Sequence, residues 1–174
     1  MPASHGTIVL FGGPAGAGKS TLARAWCATR ATAAHIELDA IRGLIVSGLA
    51  DPQKRGARQD EQYRLSVAAA CGLAQTFAQA GVDVAVDDVL EPAAFEQLWR
   101  PLLAALDWRV VIVLPTLAET LARSAARGKR VLERHTRRQH ERCSAWPAAR
   151  RIDTTGLSVA AGLRLVEAAL ADAG

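Results

Sequence analysis

The chain has 174 residues, of which 50% are hydrophobic, and a formal net charge of +4, so a single domain over residues 1–174 with a proper core is expected. No run approaches the roughly 18 consecutive apolar residues of a membrane helix, and the opening MPASHGTIVL lacks a charged region followed by a long apolar run, which points to a cytoplasmic protein. Three scattered cysteines, Cys27, Cys71 and Cys143, have no CxxC spacing and suggest neither a disulfide framework nor a zinc site.

In chain order, short Val- and Ile-rich runs alternate with stretches at helical spacing, the pattern of βαβ units around a parallel sheet. A first strand over Thr7–Gly12 leads into Gly13–Ser20, GPAGAGKS, which fits G-x-x-x-x-G-K-[ST] and opens a helix running from Lys19 to about Arg30. Strand, motif and helix together make a phosphate-binding loop. Gly13, Gly16 and Gly18 let the backbone turn tightly, and after Pro14, which has no N–H, the amides of Ala15, Gly16, Ala17 and Gly18 face a phosphate chain at the positive end of the helix. Lys19 is expected to bridge the β- and γ-phosphates and Ser20 to offer its hydroxyl to Mg2+, with Thr21 beside them capping or packing.

A second strand over His35–Asp39 delivers Asp39 to the carboxyl end of the sheet, where ligands of doubly wound folds bind. Asp39 is a candidate general base or substrate orienter, or else the N-cap of a short helix near Ala40. The stretch of about 41–80 forms the acceptor side: Arg42, Arg55, Arg58 and Tyr63 are candidates for its lining, and a helix runs from about Glu61 to Ala80. The third strand, Val82–Asp87, ends in Asp87 and Asp88. Alternation sends neighbours to opposite faces, so Asp87 is expected to serve the metal shell and Asp88 the substrate or the next helix cap.

A helix over Pro92–Ala105, a strand over Arg109–Leu114 and a capping box at Thr116 and Glu119 follow. Between Arg123 and Arg151 the sequence carries a local charge of +8, leaving −4 for the rest. A basic segment so compact suits a local anion, and arginines clamp phosphate oxygens in bidentate fashion. Arg123, Arg127 and Arg130 recur at helical spacing, with Gly128 as a hinge, so residues of about 127–138 read as an arginine-rich lid. Arg134, Arg137 and Arg138 suit either a solvated face or an acidic substrate. A last strand at Arg151–Asp153 and a helix over Ser158–Ala171 close the chain. His135 and His140, five apart, are poorly spaced for a metal on one helical face, and the four tryptophans are too scattered to form a stacking row.

GPAGAGKST, LDAIR, AGVDVAVDDVLEP, ARGKRV and RIDTTGLS together resemble chloramphenicol phosphotransferase and its relatives among P-loop small-molecule kinases. The likeness spans most of the chain. It implies a three-layer α/β fold with a five-stranded parallel sheet, ATP and Mg2+ as cofactors, and transfer of a phosphoryl group to a small-molecule hydroxyl. By that resemblance Asp39 is the catalytic base, Arg127 and Arg130 are lid arginines acting with Lys19, Arg123 lies on adenine, and Asp153 and Thr154 belong to the adenine-side loop. The region from Ile41 to Ala80 departs from the family pattern by being shorter, and this is where the acceptor is chosen. A polynucleotide 5′-hydroxyl kinase and an ATP-dependent switch that binds a partner are the alternative readings. The small size and few aromatics argue against nucleic acid.

Overall fold

Strand alternation decides which helical layer each strand residue meets. A computed structural model of the chain describes residues 5–54, 56–126 and 132–172. Five parallel strands, β1 (Ile8–Gly12), β2 (Ala33–Glu37), β3 (Asp83–Asp87), β4 (Trp108–Val113) and β5 (Arg151–Ile152), lie in the order β2-β3-β1-β4-β5. Phe11 pairs with Asp87 and Asp87 with Glu37, so β1, β3 and β2 end at one level of the sheet.

Ile8, Leu10, Val84, Val86, Val110 and Ile112 point to one face. There they meet α3 (Ala57–Gln79) through Val67, Cys71 and Ala74, the helical stretch after β3 through Phe95, Trp99 and Leu103, and α7 (Glu133–Ser144) through Cys143. The residues between them, Val9, Phe11, Ala85, Val111 and Val113, point the other way, onto Leu22, Ala23 and Trp26 of α1 (Lys19–Cys27) and Val166 of α8 (Val159–Ala171). Three layers follow from this period of two. Both faces are covered, so the inner strands are apolar throughout.

α1 stops at Cys27, short of the expected Arg30, α3 starts at Ala57, ahead of the expected Glu61, and two further differences bear on the packing. The second strand ends at Glu37, two residues early, and the chain turns into α2 (Leu38–Gly43). Ile36 and Leu38 alternate as in a strand, but Leu38 reaches the same core from the first helical turn and is only 2% exposed. The expected helix over Pro92–Ala105 comes in three pieces: α4 (Pro92–Ala94), a π turn at Phe95–Trp99, and α5 (Arg100–Leu103). Pro101 has no N–H for the carbonyl of Gln97, and the wider turn just before it takes up the misfit while Phe95 and Trp99 stay in the core.

The capping box expected at Thr116 and Glu119 is half formed, because the Thr116 amide donates to Thr155 Oγ1 at 2.8 Å and the Glu119 carboxylate pairs with Arg123. Thr116 accepts the Glu119 amide at 3.4 Å ahead of α6 (Leu117–Ala126), and Ser158 accepts the Ala161 amide at 3.2 Å ahead of α8. Among the described residues no helix is long and apolar enough to cross a membrane.

Candidate active site

The chain leaves β1 at Gly12 and enters α1 at Lys19 through a loop that only glycine can build. Gly13 (φ +139°) and Gly16 (φ +88°) occupy backbone conformations that disfavour a side chain. A Cβ on Gly13 would lie 2.2 Å from the Val113 carbonyl oxygen, and one on Gly16 would lie 2.4 Å from that of Thr120. No side chain caps the start of α1, whose N-cap is Gly18. Lys19 is 8% exposed, and its Nζ donates to the Pro14 carbonyl at 3.0 Å. An uncapped helix start, a buried ammonium and a loop crowded from behind form a cradle that fits a phosphate chain.

Opposite this cradle stand the carboxylates. Ala15, Gly16, Lys19 and Ser20 share a cavity of about 120 Å³ with Glu37, Asp39, Asp87 and Asp88. Alternation was expected to turn only one of the last two toward the cleft, yet both line it, because β3 ends at Asp87 and Asp88 lies beyond the strand. Asp87 is 7% exposed and bonded to His35 Nε2 at 2.6 Å. Asp88 accepts the Tyr63 hydroxyl at 2.6 Å. Burial pushes its carboxyl up to about 6, against the opposing effects of the Tyr63 hydrogen bond and the Lys19 charge, and the Asp39 charge adds to the rise. Tyr63 in turn is held above the ordinary range by burial and by the neighbouring Asp88. The Ser20 hydroxyl and these two carboxylates are a sparse oxygen set of the kind Mg2+ accepts when phosphates complete its shell. Asp39, in the first turn of α2, is exposed.

Asp39 and Asp88 also line a second, larger cavity of about 580 Å³ on the side of α3 and α7. Arg42 lines it too, is 8% exposed, and has no hydrogen-bond partner for Nη2 among the described residues. His135, Arg138, Gln139 and Arg142 enter from α7, and Arg142 is anchored to Glu91 by two bonds of 2.8 Å. A third cavity, about 390 Å³, opens on the opposite side of the loop against Ala17, Gly18, Thr21, Arg123 and Thr154. Arg123 donates to the carbonyls of Ala17 (3.4 Å) and Thr154 (3.1 Å) and pairs with Glu119, so it is held in place at that cavity. Thr21, expected to cap or pack, is exposed there.

Some expected residues stand apart. Asp153 is not in the third cavity's lining; its carboxylate accepts the Thr155 amide and hydroxyl, which lowers its pKa. Arg134 and Arg137 are exposed on α7, the latter paired with Glu133. Arg55, Arg127 and Arg130 lie outside the described residues. The sequence reading passed over His35, Glu37 and Gln139. The first two sit two residues apart on the strand leading to Asp39, a position that is itself a signal, while nothing local marks Gln139.

A family model described as AAA domain matches residues 8–146. The chain belongs to the AAA domain family. None of the curated proteins matches this AAA domain chain, but solved structures do. APS kinase CysC of Mycobacterium tuberculosis, in complex with AMPPNP and APS, is 19% identical with a TM-score of 0.68 over 95% of this chain and 98% of that one. The tunicamycin resistance protein of Deinococcus radiodurans is 18% identical with a TM-score of 0.68 over 97% and 96%. A chain of the Pnkp1/Rnl/Hen1 RNA repair complex is 14% identical with a TM-score of 0.63, and the match spans 80% of this chain but only 44% of that longer one. These likenesses establish the fold: a three-layer α/β, P-loop-kinase-like architecture with a five-stranded parallel sheet flanked by helices.

Proposed function

We propose that this AAA domain protein is an ATP-dependent O-phosphotransferase that moves the γ-phosphoryl group of ATP to the hydroxyl of a small molecule. One juxtaposition carries the reading: Asp39 lines both the small cavity beside Lys19 and Ser20 and the large one on the acceptor side. A hydroxyl entering from the large cavity would surrender its proton to Asp39 as its oxygen bonds to the γ-phosphorus and the bond from that phosphorus to the β-phosphate oxygen breaks. Lys19 and the loop amides hold the phosphates and offset the charge that collects on the departing ADP. Mg2+ held by Ser20 and Asp87 would shield the phosphate charge. Arg123, Thr21 and Thr154 would bound the base.

The acceptor class follows from the large cavity. Small-molecule pockets are mostly apolar, but this one carries Arg42, Lys54 and Arg138 beside Asp39, Asp60 and Asp88, with Arg142 already paired to Glu91. A buried guanidinium with an unpartnered N–H is costly unless the ligand completes it. These features favour a polar metabolite bearing an acidic group over chloramphenicol, with Arg42 on the acid and Asp88, held by Tyr63, orienting the hydroxyl. Among the similar structures, one is an APS kinase in complex with AMPPNP and APS, and one is a tunicamycin resistance protein.

The test is phosphate transfer from labelled ATP to a panel of hydroxyl compounds with and without acidic groups. Acid-bearing acceptors should be labelled, and Asp39→Asn should cut turnover by roughly 10²- to 10⁴-fold while ATP affinity stays within about twofold. Labelling confined to neutral alcohols would reject the acidic class. The RNA repair likeness and the exposed Arg134 and Arg137 give a polynucleotide acceptor a specific hearing. A steep fall of acceptor binding with salt and labelling of 5′-hydroxyl oligonucleotides would favour it. A partner-binding switch would keep its partner affinity in Asp39→Asn.

A further inference from the structure

One amide of the phosphate loop already has a partner. The Ala15 N–H donates to Gln139 Oε1 at 3.0 Å, across 124 residues of sequence. The two sides of the loop say which end of a nucleotide this amide would meet. Ala17, Gly18 and Thr21 face the cavity of Arg123 and Thr154, whereas Ala15, Lys19 and Ser20 face the carboxylates. A nucleotide lying along the loop therefore brings its transferable end to Ala15. A carboxamide oxygen and a phosphoryl oxygen are both acceptors, and one N–H serves one of them well. The anionic oxygen makes roughly twice the stronger bond, so it wins, but it must first displace the glutamine.

Gln139 has somewhere to go. It lines the large cavity, so a carboxamide released from Ala15 turns into the acceptor space. The helix behind it is pinned: His140 Nε2 is bonded to the Pro115 carbonyl at 2.9 Å, Arg142 is bonded to Glu91, and Cys143 is fully buried. Displacement is thus a side-chain movement and not a shift of α7.

We propose that Gln139 is a selectivity residue that gauges the terminal phosphoryl group: its carboxamide holds the Ala15 amide when the loop is empty or carries a diphosphate, and yields only to a triphosphate. The proposal rests on the nucleotide-binding reading above. In consequence the glutamine penalises triphosphate relative to diphosphate and reseats once the phosphoryl group has left, favouring the product state of the loop.

Calorimetric titration of the whole chain with Mg2+ and either ADP or a non-hydrolysable β,γ-imido ATP analogue tests this. Gln139→Ala removes the competitor and should tighten the triphosphate about three- to tenfold, the worth of one neutral hydrogen bond, with ADP within about twofold. Gln139→Glu, whose carboxylate is a stronger rival for the amide, should weaken the triphosphate at least about tenfold and again leave ADP nearly unmoved. Equal shifts for both nucleotides, an unchanged triphosphate, or a triphosphate weakened by the alanine would overturn the gauge while leaving nucleotide binding intact. Should the unaltered chain bind neither nucleotide, the function proposed above falls first and the gauge with it. Circular dichroism of both variants separates these outcomes from misfolding.

Discussion

Two side chains at the phosphate end show how single residues are constrained by what surrounds them. Gly16 backs onto the Thr120 carbonyl and the Ser124 amide, with a would-be Cβ at 2.4 and 2.9 Å and a positive φ. Gly16→Ala should therefore lower stability by more than about 1 kcal/mol and weaken Mg-ATP binding at least about tenfold, read from urea midpoints and calorimetry. Asp88 carries a different strain. Its carboxyl is raised by burial from 3.8 to about 6, with Lys19 and the Tyr63 hydroxyl opposing the rise and Asp39 adding to it. Because the folded pKa exceeds the unfolded one, the favourable contribution of the neutral acid is complete below about pH 4 and is lost as pH rises through about 6. In metal-free buffer Asp88→Asn should accordingly match the parent chain near pH 4 and exceed it near pH 8 by on the order of 2 kcal/mol. Chemical denaturation at the two pH values decides this, and a variant equally or less stable at pH 8 contradicts it.

Helices and strands were legible to different degrees. The turn from Gly13 to Ser20 and the Thr116 side-chain cap depend on neighbours within a few residues and stand where the sequence puts them, whereas the reciprocal half of the Thr116 box is lost to Thr155 and Arg123. Ser158 accepts the Ala161 amide at an exposed position, so Ser158→Ala should cost about 1 kcal/mol. Thermal melts should register this as a fall of about 2–4 °C. A fall indistinguishable from zero would mean that solvent replaces the cap. The end of β2 and the π turn at Phe95–Trp99 were not legible. Leu38 satisfies the same core from a helical turn as from a strand, and the three pieces around Pro101 are held by Trp99 in the core and by Phe95 packing against Trp108 of β4 and Trp146 beyond α7. Periodicity reports that a residue is buried and leaves open which geometry buries it. The pairing of Asp87 and Asp88 in one cavity has the same origin, since the alternation rule stops where the strand does.

Over the whole molecule, the small and large cavities share Asp39 and Asp88, and the third opens at Ala17 and Gly18 on the other side of the glycine-rich loop. A ligand that binds only the folded chain stabilises it by mass action, so Mg-ATP at about 100 times its dissociation constant should add about 2.7 kcal/mol. That corresponds to roughly 5–10 °C in melting temperature. Asp39→Asn should keep that shift in full while losing transfer, which separates a base from a nucleotide ligand; loss of the shift would place Asp39 with the nucleotide instead. What the sequence determined by itself was written in contiguous residues: the parallel α/β order, the glycine-rich turn ahead of α1, and Asp87 at the end of β3. What only the tertiary structure decided was which distant groups share a space. Gln139 reaches Ala15 and Tyr63 meets Asp88 where helices pack on the end of the sheet, and His35 meets Asp87 through the register of β2 against β3. Such contacts follow from packing over many residues of separation, a distance across which neither propensity nor period carries any signal.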